Sequence, residues 1–322
     1  MKSIGVFIVL IFLGVLTSCS IESAKPKAKR ELIIASDYLT PKDTVLFSKF
    51  IQSNKVELSI SNMTTDKIIG HIRNMESNSG IDLIMVKSLY DVSRLDKREL
   101  LQNINFGEEI PMEAQAYSSW KYNYIGIGID PYIIAFNLDA NNNTKMYNDL
   151  TNHKYINGID EEHFPPLLAP VLKKLNKAKG NKWIKDYLEN SVNLPRKTDS
   201  LRNDTTYRDL PIVTTLSFFK EKKDSMFVLK NRSYLLPNER STGTFYNVRS
   251  IAFVDQAQNY TIAKEFLQFY LEDENNIELN KKLNTYSFYS NHSNFRKYGT
   301  SAESLIPYYS MIDRIKRKLN QD

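Results

Sequence analysis

The side chains that most often carry out chemistry are few in this sequence and are not grouped. The four histidines are scattered along the chain: His71, His153, His163 and His292. Only His163 has carboxylates near it in the sequence, and no spacing among these residues predicts a metal site. Phosphate-binding glycine loops, nucleophile elbows and zinc-protease motifs do not occur. Without a nucleophile and base at a readable spacing, we expect no enzyme activity and no cofactor.

Cys19 is the only cysteine, so no disulfide can form within the chain. It follows an apolar core, Ile4 to Leu16, that is shorter than the roughly 20 residues of a spanning helix and is typical of a secretory signal. Its place directly after Leu-Thr-Ser resembles the bacterial lipobox, in which the cysteine is acylated. We therefore expect a signal peptide over residues 1–18, a lipid on Cys19, and a polar tether over 19–30. An ordinary signal peptide with an incidental cysteine is the alternative.

Composition and charge are those of a globular protein with no evident affinity for nucleic acid. Hydrophobic residues make up 42% of the 322 residues and charged ones 25%, as in ordinary folded domains. This length is enough for one large or two medium domains. The net charge of +6 is small for this size. The basic runs at 25–30 and 314–318 are interpreted as solvated, so no nucleic-acid partner is predicted.

Short apolar strands alternate with helical patterns in the first hundred residues. The strands lie at 31–35, 56–60 and 82–86, and this β-α-β-α-β order predicts parallel strands with right-handed crossovers. Ligands of open α/β sheets bind beyond the carboxyl ends of the strands. The residues that follow these strands are therefore predicted to form a binding wall: Ser36, Asp37, Tyr38, Asn62, Lys87, Ser88 and Tyr90.

Residues 124–137 form the longest apolar-rich run after the signal sequence. Gly126, Gly128 and Pro131 would break a helix, so the run is predicted to be a buried strand. The segment before it has the β-α-β-α-β pattern, and the segment after it is longer and more polar. This difference indicates two lobes with the strand passing between them. Residues 244–254 form a second candidate strand, which could carry the chain back.

Several short stretches, in order along the chain, carry a resemblance to a known family: Ile33–Tyr38, Asp82–Val86, Leu101–Ile104, Tyr124–Asn137, Tyr147–Leu150, Trp183–Asn190, Gly243–Asn247 and Ala263–Leu271. Together they resemble the family 1 extracellular solute-binding proteins, and within them the ferric-iron-binding branch. The resemblance implies an α/β protein with the two-lobed type II periplasmic binding fold, each lobe a mixed sheet flanked by helices. It implies these lobe limits: 31–128 plus 250–285 for the first lobe, and 129–249 plus 286–322 for the second.

The resemblance also implies partners and a location. A small-molecule or ion solute would bind between the lobes and pass to an ABC permease in the inner membrane. The chain would be exported and held by its lipid on a bacterial cell membrane, facing the periplasm or the exterior. Asp130 and Asn247, at the two crossings, would form the hinge of lobe closure.

Departures from the family concern the metal ligands. The ferric branch binds iron through two adjacent tyrosines after a strand of the second lobe, where this chain has Phe218 and Phe219. Phenylalanine offers no oxygen, and a hard cation such as Fe³⁺ needs anionic or phenolate oxygens. In the ferric branch an arginine helps to hold an anion. The corresponding position in this chain lies near Asp130, so the charge there is reversed. A site rebuilt from Tyr38, Tyr90 and Asp130 is one alternative.

A small organic solute suits the substituted residues better. Phe218 and Phe219 would form an apolar wall, and Asn247, Arg249 and Ser88 would supply polar groups. The alternatives are that one phenylalanine ring packs inward and that Arg249 is solvated at the surface. A scaffold that has lost transport and acts as a sensor or interaction lipoprotein is the competing hypothesis for the whole protein.

Overall fold

The protein is described here by a computed structural model that covers residues 30–75, 78–104, 110–138, 144–152, 156–159, 164–193, 207, 209–226, 229–238, 243–290, 297 and 304–319. The predictions for the signal peptide, Cys19 and the tether up to residue 29 lie outside these residues. None of the helices in the described part has the length and apolar character needed to cross a membrane.

The described residues form strands and helices in alternation. The strands are β1 (Glu31–Ser36), β2 (Glu57–Asn62), β3 (Leu83–Val86), β4 (Leu101–Gln102), β5 (Tyr124–Asn137), β6 (Asn157–Ile159), β7 (Ser191–Asn193), β8 (Ile212–Thr215), β9 (Arg232–Leu235) and β10 (Tyr246–Val254). The helices are α1 (Ser48–Asn54), α2 (Thr65–Met75), α3 (Leu89–Asp96), α4 (Met112–Gln115), α5 (Phe164–Glu189), α6 (Leu216–Lys222), α7 (Tyr260–Leu271), α8 (Asp273–Lys282) and α9 (Ile306–Leu319). Two 3₁₀ helices, Pro41–Phe47 and Tyr147–Thr151, complete the pattern.

The first sheet has the strand order β2-β1-β3-β10-β5. β1 is parallel to both β2 and β3, which confirms the predicted β-α-β-α-β unit. β10 then runs antiparallel to β3 on one side and to β5 on the other. Because β10 comes late in the sequence, this lobe is built from two separate parts of the chain.

β5 belongs to both sheets, and the prediction of a long buried strand is confirmed. All of its fourteen residues are buried except Phe136, which is half-buried. Its first half pairs with β10, with Tyr124 opposite Ala252 and Pro131 opposite Tyr246. Its second half pairs with β8 and β9, and the second sheet continues as β5-β8-β6-β7. β5 thus carries the chain from one lobe to the other.

Helices cover the sheets and meet at the junction of the lobes. The pattern at 167–190 predicts two helices, and α5 is indeed broken at Asn176, which has φ 60° and ψ 171°. α9 packs along α5 in the second lobe and also contacts α3 in the first. The largest apolar core runs through both lobes, and a smaller cluster around Ile133 and Phe219 lies under α6.

Candidate ligand-binding cleft

The carboxyl ends of β1, β2 and β3 lie side by side at one edge of the first sheet. Ser36, the last residue of β1, is paired with Asn62 of β2 and with Met85 of β3. The parallel arrangement therefore places the loops after these strands together, facing the junction of the lobes. We call this edge the first wall. At this edge the backbone N–H of Lys87, after β3, donates to Asp37, after β1.

Asp37 joins three elements of the first wall. Its carboxylate accepts a hydrogen bond from the backbone N–H of Lys87 at 2.9 Å and one from the Thr65 hydroxyl at 3.4 Å. Burial raises the pKa of Asp37 to about 7, and the negative charge of Asp91 adds to the increase. Lys87 and Arg249 oppose that shift. Asp37 is thus close to half-protonated at neutral pH.

Arg249 lies just beyond the end of β3. Its neighbour Ser250 is opposite Val86, the last residue of that strand, and Arg249 itself is opposite Gly128 of β5. The side chain is not solvated, because only 5% of the residue is exposed. Its guanidinium lies over the ring of Tyr38, with Cζ 4.3 Å from the ring centroid. The solvated-surface alternative for Arg249 is therefore wrong.

Tyr38 and Tyr270 complete the surroundings of Arg249. The Tyr38 hydroxyl is buried and has no hydrogen-bond partner, and the same holds for the hydroxyl of Tyr270 on α7. Burial raises the pKa of Tyr38 well above its ordinary value, and the charge of Arg249 opposes the shift. Burial also raises the pKa of Tyr270, again opposed by Arg249. Both phenols therefore stay neutral at physiological pH.

Ser88 caps α3 rather than facing the cleft freely. Its hydroxyl accepts from the backbone N–H of Asp91 at 3.0 Å and donates to the carboxylate of the same residue. The bond from the Asp91 N–H to the Ser88 hydroxyl is an N-cap hydrogen bond, and the second bond joins the two side chains. Ser88 and Asp91 are both buried. The hydrogen bonds between them fix the start of α3.

Tyr90 is taken up by contacts with α9. Only 2% of the residue is exposed, its hydroxyl donates to the carboxylate of Asp313, and its ring meets that of Tyr309 edge-on at 5.6 Å. Burial and the bond to Asp313 raise its pKa. Tyr90 therefore links α3 to α9 instead of offering a free phenol to a ligand.

Asn62 remains exposed at the end of β2. Its side-chain amide donates to the backbone carbonyl of Leu39 at 2.7 Å, which ties the loop after β1 to β2. Asn62 is thus a rim residue.

Asp130 points from β5 into the start of α6. One carboxylate oxygen accepts from the backbone N–H of Ser217 at 3.0 Å, and the other accepts from the Ser217 hydroxyl. A carboxylate at the N terminus of a helix satisfies free backbone N–H groups there. Asp130 is buried and both of its oxygens are engaged. Its contacts hold α6 against the crossing strand.

Phe218 and Phe219 lie in the first turn of α6, and they differ in burial. Phe219 is 2% exposed and meets Tyr234 edge-on at 5.3 Å. It belongs to the small core cluster with Ile133 and Ile212. Phe219 is therefore the phenylalanine whose ring packs inward, and it does not form a wall of the cleft. Phe218 is only half-buried against the same cluster. Of the pair, Phe218 keeps an exposed part, and its place in the cleft wall stays a prediction.

Asn247 and Gly128 mark the place where the strands cross between lobes. Asn247 is opposite Asp130, so both predicted hinge residues lie in one strand pair. The side-chain amide of Asn280 on α8 donates to the carbonyl of Ile127 at 2.9 Å. A Cβ on Gly128 would lie 1.9 Å from Oδ1 of Asn280, so only glycine lets α8 approach β5 this closely. The hinge role of this region stays a prediction.

Sequence reasoning missed two contributors to the first wall. Asp91 could have been found, because serine followed three residues later by an acidic residue before an apolar run is the signature of a capping box. Tyr270 falls on the apolar stripe of α7 with Ala263, Phe266 and Leu267, a pattern that predicts a core residue. No pattern in the sequence links it to Arg249, since that proximity comes from tertiary packing.

Solved structures with the same fold were found, although no family model matches this chain and no curated protein is similar to it in sequence. The ferric binding protein of Campylobacter jejuni superposes with a TM-score of 0.74 at 18% identity, over 89% of this chain and 98% of that one. A Trichodesmium protein (IdiA, FutA), solved with iron and citrate, gives 0.73 at 17% identity, over 89% and 98%. Iron-bound HitA of Pseudomonas aeruginosa gives 0.71 at 13% identity, over 89% and 99%. The chain therefore has the two-lobed periplasmic binding protein fold.

Proposed function

We propose that the chain is the solute-binding component of an ABC import system. The observation that carries the proposal is the fold itself: two lobes joined by β5, with polar strand ends and the buried Arg249 gathered at the edge that faces the junction. A solute held there would be enclosed as the lobes close about the crossing strands and then handed to a membrane permease. The role is one of binding, without catalysis.

A small organic solute fits the cleft better than ferric iron. The similar structures from Campylobacter jejuni and Pseudomonas aeruginosa are named for binding iron, which makes iron the second candidate. Ferric binding needs phenolate or carboxylate oxygens. Here Tyr90 and Asp130 already bond to Asp313 and Ser217, and burial keeps Tyr38 protonated. The described residues include no group of three or more histidine, cysteine, aspartate or glutamate side chains suited to a metal.

The lipid anchor is a separate part of the proposal. It rests on the sequence around Cys19, and two or more acyl chains would hold the body firmly to a membrane. Mass spectrometry of the chain purified from bacterial membranes tests it. We expect an N-terminal peptide that begins at Cys19 and carries acyl mass, and we expect Cys19→Ser to move the protein into the soluble fraction. A chain cleaved elsewhere, or membrane-bound without acyl mass, would refute the anchor.

A thermal-shift panel on the purified full chain in detergent tests the solute. A compound that binds only the folded state raises the unfolding midpoint, and the increase grows as its concentration passes the dissociation constant. The panel contains ferric ion, other metals, inorganic anions, sugars, amino acids and polyamines. A saturable shift with one organic class supports import. A coloured ferric complex with a large shift would favour the iron reading, and no response to any compound would favour a sensor or interaction lipoprotein.

A further inference from the structure

Arg249 is a buried cation whose hydrogen-bonding capacity is not used within the described residues. Both Nε and Nη1 are buried and have no partner. The contact with Tyr38 is a cation–π contact, with Cζ 4.3 Å from the ring centroid, and it is not a hydrogen bond. Leaving buried donors on a charged group unsatisfied is costly. Such a group in a native fold points to an occupant that the protein chain itself does not supply.

Two polar groups near Arg249 also lack hydrogen-bond partners. The hydroxyls of Tyr38 and Tyr270 are buried without partners, and the charge of Arg249 acts on the pKa of both. Together with the two guanidinium nitrogens, these hydroxyls make four polar atoms that can each donate a hydrogen bond. Phenols with raised pKa values keep their protons and so act as donors. What is missing is an acceptor with several lone pairs.

Asp37 does not fill that place. Its two oxygens accept from the Lys87 backbone and the Thr65 hydroxyl, whereas Nε and Nη1 of Arg249 have no hydrogen-bond partner. Burial also raises its pKa to about 7, so the carboxyl is only partly ionised near neutrality. The positive charge of Arg249 therefore lacks a full counter-charge at the first wall.

We propose that Arg249, Tyr38 and Tyr270 form a subsite of the cleft that takes an anionic group, a carboxylate or a phosphate-like oxyanion, of the bound solute. The inference rests on the proposed solute-binding function and narrows its substrate to an acidic small molecule. An oxyanion has enough lone pairs to accept from all four groups, and arginine can bind two oxygens of one such group at once. The subsite lies in the first lobe, where the loops after β1 and β3 meet β10.

The test compares anions on the wild-type chain and on Arg249→Met. The probes are inorganic phosphate, sulfate, acetate and citrate, each against sodium chloride of equal ionic strength, with thermal unfolding and calorimetric titration as readouts. We expect a saturable stabilisation by at least one oxyanion at one site per chain. Arg249→Met should weaken that binding about tenfold or more, as expected when hydrogen bonds to a charged group are lost.

Unfolding without any anion gives a second readout that a structural arginine would not produce. Removing an unpaired buried charge with an apolar side chain of similar length should raise the anion-free midpoint above that of the wild type. Tyr270→Phe provides a milder variant should Arg249→Met fail to fold, and it should weaken anion binding without lowering the anion-free midpoint. An Arg249→Met midpoint below that of the wild type, with unchanged anion binding, would overturn the proposal.

The outcomes separate this inference from the function on which it rests. A neutral solute that binds equally well to wild type and Arg249→Met would keep the solute-binding function and overturn the anionic subsite. Binding of inorganic anions alone, lost in Arg249→Met, would support the subsite while leaving import without a substrate. Binding of a carboxylate far tighter than phosphate, with loss in the same variant, would support both and identify the group.

Discussion

Asp130 and Arg249 lie on neighbouring strands at the crossing between lobes, but they differ in whether their charged groups have hydrogen-bond partners. Both oxygens of Asp130 accept hydrogen bonds from Ser217, one from its backbone N–H and one from its hydroxyl. Arg249 is equally buried, but its Nε and Nη1 atoms have no acceptor. Sequence position suggested a cleft role for both residues. The hydrogen bonds of Asp130 hold α6 in place, whereas Arg249 has N–H groups that a solute could use.

Asp130→Ala should destabilise the protein. The substitution leaves the buried N–H and hydroxyl of Ser217 without an acceptor, and an unsatisfied buried polar group costs about 1–3 kcal/mol. Urea unfolding of wild type and variant measures the difference in the free energy of unfolding. Asp130→Asn is the matched control, since its amide oxygen can still accept from the Ser217 N–H, and it should lose less. Unchanged stability with weaker solute binding would return Asp130 to the list of ligand residues.

Asp37 should make stability fall as pH rises from about 4 to 7. Its pKa is raised from 3.8 to about 7 in the folded protein, so in that window the folded state holds a proton that the unfolded state has lost. Asp37→Asn cannot titrate and removes this dependence. The Tm of the variant relative to wild type should therefore rise by a few degrees between pH 5 and pH 8, since about 1 kcal/mol moves the Tm of a large domain by roughly 2–4 °C.

Scanning calorimetry of both proteins at matched ionic strength measures this difference. Comparing variant with wild type at each pH removes the contribution of the other titrating groups. A Tm difference that stays constant between pH 5 and pH 8 would contradict the raised pKa of Asp37.

Single-residue roles were only partly readable from the sequence. The rule that loops after parallel strands meet at one edge correctly placed Asp37, after β1, beside Lys87, after β3. Whether a side chain at that edge is free or engaged depends on partners far along the chain. Tyr90 lies 223 positions from Asp313, and no local pattern could foresee their contact.

At the level of whole elements, the close packing of α8 against β5 depends on glycine. Asn276 and Asn280 both donate to the carbonyl of Ile127, and Thr285 donates to Oδ1 of Asn280 at 2.8 Å. The amide side chains therefore occupy the space beside Gly128 and hold a fixed network there. This network fastens the first lobe to the crossing strand.

Gly128→Ala should destabilise the protein by about 2 kcal/mol or more, because the added methyl would displace the buried Asn280 side chain and break its hydrogen bonds. Gly70→Ala is a matched control inside α2, where nothing lies within 4 Å of the added Cβ. That change should stabilise by about 0.5–1 kcal/mol, since alanine favours a helix over glycine. Chemical denaturation compares the two. Equal effects of both substitutions would contradict the close approach.

Elements were easier to predict than side chains because their signals are local. The period-two and apolar patterns located β1, β2, β3 and β5, and the glycines and proline of β5 excluded a helix. The pairing of β10 between β3 and β5 could only be suggested, since register is decided by contacts across 100 residues or more. The resemblance to solute-binding proteins implied only that residues 250–285 return to the first lobe.

On the scale of the molecule, α9 is a helix that contacts both lobes. It packs on α5, and it receives the Tyr90 hydroxyl of α3 through Asp313. A rotation of the lobes against each other must change one of these contacts. The predicted residue limits of the two lobes stay a prediction. They assign α9 to the second lobe, although α9 also contacts α3 of the first lobe.

Tyr90→Phe should loosen α9 without disturbing the cores. The ring keeps its edge-on packing against Tyr309, while the hydrogen bond to Asp313 is lost. Hydrogen exchange measured by mass spectrometry should become faster over residues 306–319. Tyr289→Phe is the matched control, because it removes a hydroxyl that donates to Leu271 at 2.9 Å and should leave α9 unchanged. Identical exchange in wild type and Tyr90→Phe would show that the contact does not restrain the helix.

The insertion of β10 between β3 and β5 sets the order in which the polypeptide can mature. Until residues 246–254 leave the ribosome, the two sheet edges that they join have no partner, so the early half of the protein cannot complete its sheet. Contacts between such distant segments also slow folding. The first sheet therefore closes only after more than three quarters of the chain has been made, and the unpaired edges of β3 and β5 stay available until then.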